Sequence, residues 1–97
     1  MALALAQEAV ALRADAALSA EERGFLYMPF MHSESPLIHE TAERLFRENG
    51  VPENYDFELR HKAIVDRFGR YPHRNAALGR ESTAEEIAFL REPGSSF

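Results

Sequence analysis

Helix boundaries are marked in this chain more densely than any other structural signal. Ser19 stands three residues before Glu22, and Thr83 three residues before Glu86. At that spacing the hydroxyl accepts from the backbone N–H three residues on, and the carboxylate reaches back to the hydroxyl residue's own N–H. Each pair therefore predicts a helix start. Ser35-Pro36 predicts another, an N-cap followed by a first-turn proline. Asn49-Gly50 and Gly69 read as stops, because glycine takes the left-handed conformation that ends a helix. No segment shows the apolar–polar alternation of a half-buried strand.

These marks divide the chain into helices. Residues 2–18 are rich in alanine and leucine, strong helix formers, with Leu3, Ala6, Val10 and Ala17 on a broad apolar stripe. A second helix from Ala20 carries Phe25, Leu26, Met28 and Phe30, and Pro29 is expected to kink or end it. A third runs from Pro36 to about Glu48 and is expected to bury Leu37, Ile38, Ala42, Leu45 and Phe46. A fourth covers residues 54–68, with Phe57, His61, Ile64 and Phe68 on one face at helical spacing. Residues 69–83 read as irregular, and a short last helix carries Ile87, Phe89 and Leu90 before Pro93-Gly94 stops it.

The fold class expected is all-α, with two antiparallel hairpins at about 2–31 and 36–68. Their starts lie about 34 residues apart, the period of stacked tetratricopeptide-type helix pairs. The residue signature of that repeat is absent.

With 97 residues the chain is one domain or part of one. It has no cysteine, which excludes disulfides, cysteine catalysis and thiolate metal sites. No apolar run approaches the roughly 20 residues of a membrane span, so no membrane partner is expected. The N-terminal stretch lacks a basic region, and Glu8, Arg13 and Asp15 interrupt it, so it reads as a helix and the chain as cytoplasmic. The formal charge is −5, which argues against nucleic acid as a partner. The charge is unevenly placed: residues 60–80 carry Arg60, Lys62, Arg67, Arg70, Arg74 and Arg80 against Asp66 alone.

That basic island holds the candidate chemistry. Arg67, Arg70, His73, Arg74 and Asn75 fall within nine residues, stiffened by Gly69 and Pro72, and Arg80 follows. Arginine presents a planar fork of donors suited to carboxylate or phosphate. The same arginines can instead neutralise the chain's own helix carboxylates. His61 lies on an apolar helix face, where a histidine is commonly a hydrogen-bonded core residue, and His32 flanks a turn. The candidate ligand-binding set is therefore His32, His61, Arg67, Arg70, His73, Arg74, Asn75 and Arg80. His32, Glu34 and His39 match no established zinc spacing, so no metal is expected. No cofactor-binding glycine loop and no Gly-x-Ser-x-Gly elbow occurs, and no catalytic set is identified. Glu85 and Glu86 read as solvated first-turn residues.

Four stretches carry a resemblance. They are Phe25–Ser35 (FLYMPFMHSES), Arg60–Asn75 (RHKAIVDRFGRYPHRN), Leu78–Glu86 (LGRESTAEE) and Pro93–Phe97 (PGSSF). Together they resemble the bacterial domain-of-unknown-function 924 family. The resemblance implies an all-helical, tetratricopeptide-like right-handed stack and no established activity. It further implies that this chain corresponds to the C-terminal half of the family pattern. The other half carries tryptophans and a Leu-Asp-Gln-Phe-Pro-Arg-Asn-like segment, and this chain has no tryptophan.

Two functions follow as expectations. One is an interaction module, engaging a protein partner or a second copy through an apolar face of residues 2–31 left partly exposed. The other is a site for an anionic small molecule built from segment 67–80.

Overall fold

The computed structural model describes residues 2–96. Met1 and Phe97, the latter the last residue of the Pro93–Phe97 stretch, lie outside the described residues. Five α-helices appear among them: α1 (Ala2–Ala11), α2 (Ala20–Met31), α3 (Pro36–Asn49), α4 (Pro52–Phe68) and α5 (Ala84–Leu90). Single 3-10 turns occupy Ala14–Ala17 and Pro72–Arg74. No strand occurs among the described residues.

The local marks decide the boundaries. Both capping boxes form, with Glu22 N–H on the Ser19 hydroxyl and Glu86 N–H on the Thr83 hydroxyl, each at 3.1 Å. Ser35 accepts from the Ile38 N–H, and Pro36 opens α3. Gly50 and Gly69 end α3 and α4 with φ near +77° and +72°, a backbone region that costs a Cβ-bearing residue strain.

Three expectations need correction. The first helix does not reach residue 18: it ends at Ala11, and Arg13, left-handed at φ 57°, turns the chain into the Ala14–Ala17 turn. There Asp15 accepts from the Tyr27 hydroxyl, which fixes the turn against α2. Pro29 neither ends nor interrupts α2, which continues to Met31, and His32 N–H still bonds Met28 C=O. Proline sits in the last turn, where it removes one backbone bond and few remain to disrupt. The expected apolar faces hold at Ala42, Leu45, Phe46, His61 and Ile64, which are buried, and fail at their edges. Leu37, Phe57 and Ile87 are exposed, while His39 in α3 and Glu58 in α4 are buried.

The helices pack in succession, α1 on α2, α2 on α3 and α3 on α4, with α2 also touching α4. Ala6, Tyr27, Phe30, Met31, Ala42, Leu45 and Phe46 form one core between the first three helices. A second, smaller core joins Ile64, Val65 and Tyr71, with Phe68 and Phe89 against it. The molecule is elongated, 45 × 27 × 19 Å. Its radius of gyration is 14.4 Å, whereas a globular chain of this length would have about 12.5 Å. A row of stacked helices gives that shape. No described helix is long and apolar enough to cross a membrane.

Part of the 2–31 surface is left open. Phe30 is buried and Leu3 and Val10 are half-buried, but Leu5, Leu12 and Phe25 are exposed, Phe25 by 72%. Beside Phe25 an apolar groove of about 280 Å³ runs between α2 and the start of α4, lined by Gly24, Met28, Val51 and Asn54.

Candidate functional site

Tyr71 organises the polar centre of the molecule. It follows Gly69 and Arg70 at the end of α4, and Pro72 opens the 3-10 turn after it. Its backbone N–H donates to Glu34 Oε2 at 2.7 Å, and its C=O accepts from Arg80. Its ring is fully buried between α2, α3 and α4. The hydroxyl donates to Met31 C=O at 2.6 Å and lies 2.9 Å from His39 Nε2.

Behind Tyr71 runs a buried chain of polar groups. His39 Nε2 also lies 2.6 Å from Ser33 C=O, and His39 Nδ1 lies 2.8 Å from Glu58 Oε2. A carbonyl only accepts, so Nε2 carries a proton. Both His39 and Glu58 are completely buried. Burial pushes the Glu58 carboxyl above the usual carboxylate range, against the opposing pull of His39. Its other oxygen, Oε1, meets no partner among the described residues, which a neutral carboxyl tolerates better than an anion.

In front of Tyr71 lies a pocket of about 230 Å³ lined by His32, His61, Tyr71, His73 and Arg74. The elements converge there for local reasons. His32 is the C-cap of α2, His61 projects from the middle of α4, and His73 and Arg74 form the 3-10 turn that Pro72 initiates. The His61 and His73 rings each sit 5.6 Å from the Tyr71 ring, and His32 lies 6.0 Å from His61. The Arg74 guanidinium lies over the Tyr71 ring at 4.6 Å. A stacked guanidinium keeps its N–H donors available along its edge.

All three imidazoles are biased towards their uncharged form. Burial lowers His61 to about 4. Burial first and the Arg74 charge second lower His32 and His73 as well. His61 Nδ1–H donates to Phe57 C=O at 2.6 Å, so Nε2 is its basic nitrogen. Among the described residues no set of three ligating side chains is arranged to hold a metal.

The remaining candidates point elsewhere. Arg80 grips Glu34 with two bonds of 3.1 and 3.0 Å. Arg70 grips Glu86 with two bonds of 2.9 and 2.7 Å and also reaches Glu81 C=O. Arg67 pairs with Glu85 at 3.1 Å and lies over the Phe68 and Phe89 rings. Asn75 is buried and donates to the Ser82 hydroxyl. Glu86 is therefore a correction to the sequence expectation. It is buried, not solvated, and its bonds to Arg70 hold its carboxyl down at about 2.

The structure thus brings together His32, His61, His73 and Arg74 and commits Arg67, Arg70 and Arg80 to the chain's own carboxylates. Among the described residues Arg74 is in no ion pair. Sequence reasoning missed Tyr71 as the centre and Glu34, His39 and Glu58 as its supports. The one available signal was Tyr71-Pro72, a buried-size aromatic fixed ahead of a turn.

Fold and site define a stacked-helix protein with a cationic, histidine-lined pocket resting on a buried carboxyl–imidazole–phenol chain. The chain belongs to the family described as bacterial protein of unknown function (DUF924), whose model matches residues 1–94. It is similar to a solved protein of unknown function from Agrobacterium tumefaciens, ATU0120, with 39% identity and a TM-score of 0.87. The similarity covers 93% of this chain and 51% of that one, so the chain spans about half that relative's length. No curated protein matches it.

Proposed function

We propose that this chain, a tetratricopeptide-like stack working in the cytoplasm, binds a small anionic molecule in the pocket between His32, His61, Tyr71, His73 and Arg74. The observation that carries this reading is the contrast among the arginines. Arg67, Arg70 and Arg80 each meet a carboxylate, whereas Arg74 is held on an aromatic ring at the wall of a pocket. A guanidinium lining a cavity recognises carboxylate or phosphate. A volume of about 230 Å³ is below the ~300–1,000 Å³ typical of drug-sized ligands. The occupant is accordingly a compact metabolite, not a nucleotide.

The test is a thermal-shift screen of small carboxylates, sulfonates and phosphates against the wild type and Arg74→Ala. An anion at a hundred times its dissociation constant is expected to stabilise the wild type by about 2.7 kcal/mol. The Arg74→Ala variant is expected to lose that shift while its unliganded stability falls by about 1 kcal/mol, the worth of the ring contact. Arg70→Lys is expected to keep the ligand shift. Full retention of the shift in Arg74→Ala contradicts the reading.

A second reading concerns the open apolar surface, supported by the exposure of Leu5, Leu12 and Phe25, the last of which lines the α2–α4 groove. In it, residues 2–31 contact a second copy or a protein partner. Sedimentation of the wild type is expected to show concentration-dependent association, which Phe25→Glu removes without loss of helicity. A wild type that remains monomeric at every concentration excludes self-association.

A further inference from the structure

Resting on the anion reading, we infer that the pocket selects its ligand by charge: a singly charged anion enters at neutral pH, and a doubly charged one enters only together with a proton. The geometry supplies one fixed cation and three imidazoles around a single small cavity. Arg74 balances one negative charge. A second charge in the same half-open cavity has no fixed counterpart, and to the extent that it gives up water there it is left uncompensated. An imidazole of the wall can supply the counter-charge by taking a proton, since histidine changes charge near physiological pH.

The groups that face these imidazoles set how readily this happens. From the 3-10 turn, Arg74 opposes protonation of His32 and His73. From α3, His39 opposes it at His32 and His61. The three pocket imidazoles are mutually linked, as His32 and His73 both act on His61. From the connector after α2, Glu34 favours protonation of His73. Glu34 is itself gripped by Arg80 and bonded to the Tyr71 N–H, so its charge is largely answered already. Glu58 of α4 is bonded to His39 and does not line the pocket. Among the described residues, His73 is the pocket imidazole on which a carboxylate, Glu34, acts in favour of the charged form, against burial and Arg74.

Methanesulfonate and sulfate separate the two charge states. They are close in size, and one carries a single and the other a double charge across the range in which histidine titrates. Isothermal titration of the full chain in buffers of different ionisation heats reads affinity and proton uptake together. At about pH 7.5, methanesulfonate is expected to bind about tenfold more tightly than sulfate, with no proton taken up. Sulfate is expected to take up about one proton per molecule bound, and to gain about tenfold in affinity on moving to about pH 5.5. Equal affinities at pH 7.5 without proton uptake overturn charge selection and leave the anion reading standing. No binding of either anion, at either pH, overturns both.

Discussion

Removing the His39 side chain is expected to be among the most damaging single changes to this protein. His39→Ala should lower the unfolding free energy by about 3–5 kcal/mol, the sum of buried polar groups left unsatisfied and a new cavity. That is a large part of the ~5–15 kcal/mol a domain of this size has in total. The damage has three sources. Glu58 keeps its burial and loses its bond, Ser33 C=O and the Tyr71 hydroxyl lose a donor, and a cavity opens between α3 and α4. Glu58→Gln should cost under about 1 kcal/mol. His39 Nε2 keeps its proton for Ser33 C=O, and the Gln amide donates to Nδ1, so every bond of the chain survives. Urea unfolding of the two variants checks the pair. Equal losses in both would mean that charge, and not the hydrogen-bond chain, holds this centre together.

The second large effect is on acid stability. Burial depresses His61 to about 4 in the folded state, while an unfolded chain titrates near the ordinary value of about 6.5. The unfolded state therefore takes the proton first. The neutral His61 contributes its full stability above pH 6.5, and that contribution is lost as pH falls towards 4, below which it levels off. The gap between the two values corresponds to roughly 3 kcal/mol. His32 and His73 are lowered too and act in the same direction. Glu86, held down at about 2 by Arg70 and its cap, has a separate and more acidic window: its contribution is present above about 4.5 and disappears as pH falls through 2. Urea unfolding at a series of pH values should show ΔG falling between pH 6.5 and 4, with a shallower fall in His61→Gln. An unchanged ΔG across that interval in the wild type contradicts a buried neutral His61.

Legibility in the sequence followed sequence distance. Ser19 with Glu22 and Thr83 with Glu86 could be read directly because a capping box closes within four residues. The same holds for Ser35-Pro36 and for the glycines at 50 and 69. The pocket was half legible: His73 and Arg74 are neighbours in a turn, and His61 was placed on an inward face. Its support was not. Glu34 is 46 residues from Arg80, Tyr71 is 32 from His39, and Glu58 is 19 from His39. A charged residue within a helix reads as solvated until its partner on another helix is known, which is why Glu58 and Glu86 were missed. The basic island resolved for the same reason. Three of its arginines found acceptors at separations of 16 to 46 residues, which no local pattern announces. Pro29 shows the reverse limit. Its breaking effect depends on where in the helix it falls, and only the end at Met31 reveals that it sits in the last turn.

The central claim is that an anion seats against His32, His61, His73 and Arg74. The chain has four histidines, and the fourth, His39, is sealed behind Tyr71. Nitrogen-15 imidazole spectra recorded while methanesulfonate is added near neutral pH read all four at once. The account predicts that His32, His61 and His73 shift along one saturating curve, that His39 stays in place, and that Arg74→Ala abolishes the shifts. Saturable binding that leaves the three pocket imidazoles unmoved, or that persists in Arg74→Ala, would contradict it.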